Sequence, residues 1–478
     1  MRNTRLAYLL FSLKPKERQL FGQLLSIGYF KATDLGTGLF DYLQARKFKP
    51  LEGDKKTILL DFFGEDSEAA DKQLRHQMSL LSKLVQDFIA LQTVRKTPSL
   101  LLHFAALGLA ARGVFKEFLR ISQKLIKKLE EKLLPHGYDH WMLMRLNRQL
   151  FFHPDVEKIK MGQPYIEAAM QHLDMAYLLS KLRLSCELTN REITLSEKYH
   201  IPLLKECMEL GQQWVDRNTL INVYMGIIQL QTRGFSAELF THVKSVYFQH
   251  LEQLEEEEQR LVLMYLINIV AKEITKGRNQ HLKECLELYK YALSTGALLK
   301  HQRMTYPTYT NIAAIGSLID PDWTRDFIEE YIQHLEKDHQ QDAYSIARAF
   351  WHFNQQQFYE CFQALEQLTY LHIPYNFRIR SLLIRTFYEL SYTNGKMEDS
   401  LANELENLYR FISKYRQSYP LKGNAYMNFY GFTRTLIGHR WTTISANRKK
   451  ELTERLRNMD VCNRAWLEEK LMAIGLKR

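Results

Sequence analysis

Residues 67–91 read SEAADKQLRHQMSLLSKLVQDFIAL. Within them Leu74, Met78, Leu81, Val85 and Phe88 follow one another at spacings of four, three, four and three. That rhythm returns each side chain to one stripe of a 3.6-residue helix, and Leu84 and Leu91 widen it. Ser67 offers an N-cap oxygen, and Glu68 and Asp71 suit the positive end of the helix. One long amphipathic helix is predicted, with a face to bury.

Upstream, Pro15 and Glu17 fit the first turn of a helix through Leu20, Phe21, Leu24 and Leu25, which Gly28 stops. Thr33-Asp34 starts a second helix through Leu39, Phe40 and Leu43, and Asp54 a shorter one through Phe62 and Phe63. Residues 1–95 therefore read as a helical bundle. After Thr97-Pro98 the pattern turns to paired helices. One runs from Ser99 to about Ala111, Arg112-Gly113 makes the turn, and the next points Phe115, Phe118, Leu119, Ser122, Leu125, Ile126 and Leu129 inward. Similar pairs recur at Leu282–Leu293, at Tyr344–Phe353 with Phe358–Leu371, and at Ile379–Tyr392 with Leu401–Tyr415. Asp320-Pro321 marks another helix start. The expected class is all-α, with a bundle over 1–95, a solenoid over 98–440 and capping helices over 441–478.

Bulk composition agrees. At 478 residues the chain exceeds the usual size of one compact core. Only 21 Gly and 11 Pro leave few residues for the tight turns of a large sheet protein. Cys186, Cys207, Cys285, Cys361 and Cys462 form no CxxC pair and read as reduced core residues, which points to the cytoplasm. Arg2 and Arg5 precede an apolar stretch from Leu6 to Leu13, but Lys14-Pro15-Lys16-Glu17 stands where a leader would carry small residues. The apolar run Phe104–Ala111 is too short for a membrane span. Net charge is +10 over residues 1–150, −8 over 151–374 and +9 over 375–478. Basic ends prefer anionic partners or the acidic middle of a second copy, and the same charges fit solvated helix faces.

Glu-Cys recurs at Glu206-Cys207, Glu284-Cys285 and Glu360-Cys361, at separations of 78 and 76 residues. Each separation is about two helix pairs. Cys285-x3-Tyr289-x2-Ala292 and Cys361-x3-Leu365-x2-Leu368 resemble the stripe by which tetratricopeptide second helices pack on their first helices. The resemblance covers about residues 98–440 and implies a helical solenoid, although the Trp, Leu-Gly and Tyr positions of the first helix are mostly missing. Glu17 to Tyr29-Phe30, Leu39–Leu43, Leu74-Arg75 and Ser79–Phe88 look like a group of uncharacterised bacterial helical proteins. Those proteins begin with a similar bundle and continue into tetratricopeptide-like repeats. That second resemblance implies no activity.

Catalytic chemistry finds no local motif. Gly36-Thr37-Gly38 is the only GxG, lacks a third glycine and sits inside a predicted helix. No HExxH or GxSxG occurs. His136 and His140 are four apart, but Pro135, Gly137 and Tyr138 place them in a connecting loop, where they lack a third ligand. The run Glu255–Glu258 is explained as the first turn of a helix through Leu261, Met264, Tyr265 and Ile269. No enzyme, metal or cofactor is expected.

Three features could carry binding. Lys116, Arg120, Lys124 and Lys127 line up about one turn apart and would suit a phosphate backbone or an acidic segment; a solvated outer face explains them at less cost. Arg378 and Arg385 share a helix face by their seven-residue spacing, with Arg380 off it, and would clamp carboxylates if that face lines a groove; ordinary surface arginines explain them at least as well. Tyr426, Met427, Phe429, Tyr430 and Phe432 read as core between stacked helices. The leading expectation is an interaction scaffold for a protein or peptide partner, with no membrane partner. The alternative is a nucleic-acid-binding regulator using the basic amino-terminal third. Its support is the pair of short helices around Gly28-Tyr29-Phe30, although Thr33–Leu43 offers few side chains for reading bases. Oligomeric state is left open.

Overall fold

The computed structural model describes residues 1–153, 164–195, 198–299, 302–366, 368, 373–392, 395, 397–440, 442 and 444–474. Among these residues every regular element is a helix and no strand occurs, so the all-α expectation is met. None of these helices is long and apolar enough to cross a membrane. By its contacts the chain divides into two compact units. One comprises Met1–Lys132 and Trp141–His172, the other Leu133–His140 and Leu173–Arg478.

In the first unit the predicted long helix is Glu68–Lys96, with the Ser67 hydroxyl accepting the Ala70 N–H at 3.1 Å. Its stripe is buried, with Leu74, Leu81, Val85 and Phe88 no more than 1% exposed. Phe88 meets Phe21 at 5.4 Å between ring centroids, and Phe21 meets Phe40 edge-on at 5.2 Å. Three helices thus share one aromatic centre, each buried ring contributing about 1.5–3 kcal/mol. Helix Pro15–Ser26 begins as expected, its Glu17 carboxylate accepting the Lys14 N–H. Gly28 ends it at φ +71°, the left-handed conformation that lets its own N–H and that of Tyr29 reach back to Leu25 and Leu24. Asp54 caps the short helix Lys55–Ile58, which runs on as one wider turn over Leu59–Phe63. A second core in this unit gathers Phe118, Leu125 and Leu129 of helix Phe115–Glu130 against Ala106, Leu143, Leu146 and Leu150.

In the second unit consecutive helices pack in pairs. Thr219–Thr232 lies on Ala237–Gln249, and Glu256–Thr275 on Leu282–Ser294. Tyr306–Ile319 lies on Pro321–Tyr331, Lys337–Asn354 on Phe358–Glu366, and Ile373–Leu390 on Met397–Tyr415. The first helices of neighbouring pairs also touch, Tyr306–Ile319 on Lys337–Asn354 and the latter on Ile373–Leu390, which in turn touches Pro420–Gly438. Asp320 caps its helix as predicted, accepting the Trp323 N–H at 3.3 Å. Within Thr219–Thr232 a Cβ at Gly226 would overlap the Val243 side chain, so glycine there sets how closely the pair approaches.

Several sequence readings shift. The stripe expected to reach Leu371 is helical over Phe358–Glu366, and positions 367 and 369–372 lie outside the described residues. The stretch 441–478 holds helices Ala446–Asn458 and Arg464–Ala473, with 441, 443 and 475–478 likewise outside. His140 is not in a loop: helix Gly137–Phe152 starts at the glycine, because the Asp139 carboxylate accepts the His136 N–H at 3.0 Å and caps it.

Candidate functional site

Helix Ile373–Leu390 is enclosed rather than amphipathic. Phe377, Leu382, Ile384 and Tyr388 are fully buried on different sides, and no position from 376 to 390 is fully exposed. A helix so enclosed is normally apolar all round. This one carries Arg378, Arg380 and Arg385, so three guanidinium groups are half-buried, and each needs a compensating group.

The three find different ones. Arg380 donates from Nη1 to Glu404 Oε1 at 2.7 Å. Burial raises the Glu404 pKa, and the Arg380 charge pulls it back. Arg378 donates to Asn311 Oδ1 at 2.7 Å, and its guanidinium lies 4.3 Å from the centre of the Phe350 ring. Arg385 lies 4.6 Å from the centre of the Phe353 ring, one turn along from Phe350 on helix Lys337–Asn354. Among the described residues no carboxylate pairs with Arg385, and its buried Nε has no acceptor. Burial pulls its pKa down to about 10, although the neighbouring Cys361, Cys462 and Tyr426 favour its charge.

Helix Pro420–Gly438 brings a further cation. Lys422 is half-buried and precedes Tyr426 by one turn, and the Tyr426 ring lies 5.2 Å from that of Phe377, next to Arg378. Burial lowers the Lys422 pKa, and the Arg378 charge adds a smaller shift in the same direction. Among the described residues Lys422 has no acidic partner. The result is a half-buried basic site with aromatic walls, in which no acid among the described residues neutralises Arg385 or Lys422. Of the aromatic cluster read as core, Phe429 and Phe432 are fully buried, while Tyr426, Met427 and Tyr430 are partly so.

The basic face of helix Phe115–Glu130 is a different case. Lys116, Arg120, Lys124 and Lys127 are all exposed. Arg120 folds back on Glu117 at 2.7 Å and Lys127 approaches Glu131 at 3.8 Å, so two of the four charges are shared with local acids. Such exposed pairs contribute roughly 0–1 kcal/mol. The helix Asp34–Ala45, second of the two in the nucleic-acid reading, exposes Asp34, Asp41 and Gln44, which gives a phosphate backbone no attraction.

The acidic run is more than a helix start. Glu256 and Glu257 are exposed in the first turn of Glu256–Thr275, but Glu258 is 3% exposed. It accepts from Arg183 Nε at 2.7 Å and from the Tyr224 hydroxyl at 2.6 Å. Cys186, Cys207, Cys285 and Cys361 are buried, Cys462 is partly so, and all five are free thiols. Among the described residues no group of three or more His, Cys, Asp or Glu is placed to hold a metal ion. The described residues also form open clefts. One of about 210 Å³ lies beside Lys31, Gln77 and Lys83, and one of about 390 Å³ beside Tyr247, Arg260 and Tyr291.

No family model matches this chain, and neither the curated proteins nor the solved structures include a match. The site therefore rests on its own geometry. Sequence periodicity picks out Arg378 and Arg385, and the structure brings both onto the phenylalanines of the adjoining helix. Periodicity misses Lys422, Asn311, Phe350 and Phe353. The one available signal for Lys422 is a lysine one turn ahead of Tyr426 in a helix otherwise rich in aromatic residues.

Proposed function

We propose that this chain is a non-catalytic interaction scaffold, a tetratricopeptide-like α-solenoid that holds an acidic protein or peptide segment against helix Ile373–Leu390. The repeat reading is supported by position: Cys207, Cys285 and Cys361 are each the fourth residue of a helix, in Leu204–Gln212, Leu282–Ser294 and Phe358–Glu366, and each is buried. Three equivalent small residues at one place on three helices fit a repeated pair. The observation that carries the binding assignment is Arg385, a half-buried cation stacked on Phe353 with no carboxylate partner among the described residues. A charge held out of water without a counter-ion is a standing cost, which an incoming anion relieves.

The test is fluorescence anisotropy of a short glutamate-rich peptide on the full chain, with a lysine-rich peptide as control. Binding of the acidic peptide is expected, weakened roughly tenfold or more by Arg378→Glu with Arg385→Glu, because a desolvated charge-assisted contact contributes at least ~1.5 kcal/mol. Unchanged affinity after both reversals would remove the site from this helix.

A further inference from the structure

The first unit holds a cleft that the scaffold reading does not use. Helix Asp34–Ala45 starts against the middle of helix Glu68–Lys96, and residues of both line a space of about 210 Å³. Thr33, the N-cap, accepts the Gly36 N–H at 3.0 Å and gives its own proton to Gln77 Oε1 at 2.7 Å. That assigns the amide: the Gln77 oxygen faces the threonine, and Nε2 carries its two N–H donors elsewhere. Gln77 is 6% exposed, and its Nε2 has no hydrogen-bond partner among the described residues, yet protein atoms do not seal it off. The donors therefore open on the cleft that the residue lines. A Cβ at Gly36 would come within 3.1 Å of both the Gln77 and the Thr33 oxygen, so glycine keeps this pair seated. An amide donor held largely out of water without an acceptor costs free energy, which an incoming acceptor recovers.

The surroundings of those donors select the acceptor. Lys31 and Lys83 line the same cleft, exposed and without an acidic partner among the described residues. Asp87 is the one acid among the described residues that line it. Two positive charges against one negative leave a single net charge, which a monoanion balances and a dianion exceeds. The remaining wall is apolar, with Leu81 buried and Leu80 and Leu84 half-buried one turn apart. Sites for drug-sized ligands measure roughly 300–1,000 Å³, so this one takes a smaller group. We propose that the cleft binds a carboxylate borne by a short apolar group, about the size of one residue, whether a free aliphatic acid or the carboxyl terminus of a protein chain. Gln77 Nε2 and the two lysines take the carboxylate oxygens, while Leu80 and Leu84 cover the apolar part. Every residue involved lies in the first unit, so this site stands or falls apart from Arg385.

The experiment titrates the full chain with isocaproate by isothermal calorimetry, against its primary amide, acetate and inorganic phosphate. Isocaproate is expected to bind roughly tenfold or more tightly than the amide, the effect of one charge-assisted contact. It should exceed acetate by roughly tenfold or more, because acetate lacks the apolar body. Two short peptides ending in leucine, one with a free carboxyl and one amidated, identify the source. A free-carboxyl peptide that binds more tightly than isocaproate, with its amidated form silent, makes the ligand a chain terminus; the reverse order makes it a small acid, and either supports the shared chemistry. Gln77→Glu keeps the Thr33 contact, replaces the donors with a like charge, and should weaken the acid roughly tenfold or more. Lys31→Gln with Lys83→Gln alters only exposed side chains, and should weaken it roughly threefold or more at an unchanged melting temperature. That double variant keeps the test open if Gln77→Glu fails to fold. Equal affinity for acid and amide, phosphate binding as tightly as the acid, or an affinity unmoved by the double lysine change overturns the proposal. So does the absence of binding by both isocaproate and the free-carboxyl peptide at millimolar concentration.

Discussion

Helix Phe115–Glu130 sets Lys116, Arg120, Lys124 and Lys127 in water, whereas helix Ile373–Leu390 sets Arg378, Arg380 and Arg385 among phenylalanines. Along the sequence the two look alike, each a basic rhythm on a predicted helix. In water a charge is already solvated, and a partner 4 Å away adds about 1 kcal/mol. Half-buried, the same charge has given up part of its hydration, so whatever replaces that hydration decides both stability and binding. The number of cations on a helix therefore says less than their surroundings. Glu404 takes that role for Arg380, whereas Arg385 has the Phe353 ring and, among the described residues, no carboxylate.

The largest effect should come from removing the partner of a buried charge. Glu258→Ala strips the buried Tyr224 hydroxyl of its acceptor and leaves Arg183 only the exposed Glu257, at 3.4 Å. Breaking such a pair from one side costs about 3–5 kcal/mol, and Arg183 keeps enough water contact, with Glu257 beside it, to favour the lower end. Denaturant unfolding should show a loss of about 3 kcal/mol in the second unit. A loss below ~1 kcal/mol would mean that desolvation is not what separates the two kinds of charge in this molecule.

Next is a cation that the fold prevents from forming. His103 is fully buried against Trp141, its two ring nitrogens lack partners among the described residues, and burial pulls its pKa down to about 4, with the Arg145 charge adding to the effect. The folded value lies below the free value of 6.5, so the unfolded chain takes up the proton first. Stability is whole above pH 6.5 and is lost as the pH falls toward 4. The loss should approach about 3 kcal/mol, since each tenfold change in proton affinity corresponds to about 1.4 kcal/mol. His103→Leu should flatten the melting temperature over that window, and an unchanged slope would show that other groups set it.

These contrasts also separate what is written locally in the sequence from what only the packing creates. Helix positions are legible because caps and stripes are local: Ser67, Thr33, Asp54 and Asp320 each act on an N–H two or three residues ahead. The sequence misplaces His140 because Pro135 and Gly137 signal a turn, while the Asp139 cap that starts the helix there is a subtler mark. Glu258 looks like its three neighbours, since burial against Arg183, 75 residues away, leaves no trace in the run itself. Arg378 and Arg385 can be paired by spacing, but their phenylalanine walls belong to another helix. Lys422 belongs to a third. A site assembled across helices shows in sequence only those members that share one element.

A smaller effect, of opposite sign, should follow Arg385→Met. Methionine keeps the volume and the contact with Phe353 and removes an uncompensated half-buried charge, an exchange that is often neutral or stabilising. Thermal unfolding should occur at an equal or higher temperature, by ~1 kcal/mol at most once the lost cation–π contact is deducted. Acidic-peptide binding should fall at the same time. Gaining stability while losing binding is the mark of a residue kept for its ligand. A marked loss of stability would instead make Arg385 a structural residue with an acceptor of its own.

The smallest effect should come from helix Phe115–Glu130. Changing Lys116, Arg120, Lys124 and Lys127 together to glutamine removes four exposed charges and the two local pairs with Glu117 and Glu131. The buried stripe of Phe118, Leu125 and Leu129 is untouched. Stability should stay within about 0.5 kcal/mol of the parent chain, as surface substitutions generally do. Acidic-peptide affinity should not move if helix Ile373–Leu390 is the site, because none of the contacts described for Arg378 and Arg385 involves helix Phe115–Glu130. Salt-dependent retention on DNA gives the comparison its hardest trial. A basic face that works through water should hold DNA at low salt, release it steeply as salt rises, and lose that retention in the quadruple variant. If the parent chain is retained in that way, the solvated charges do their own binding, and positive charge in this molecule has two uses distinguished by hydration. If nothing is retained at low salt, only the half-buried charges are left as candidates for function.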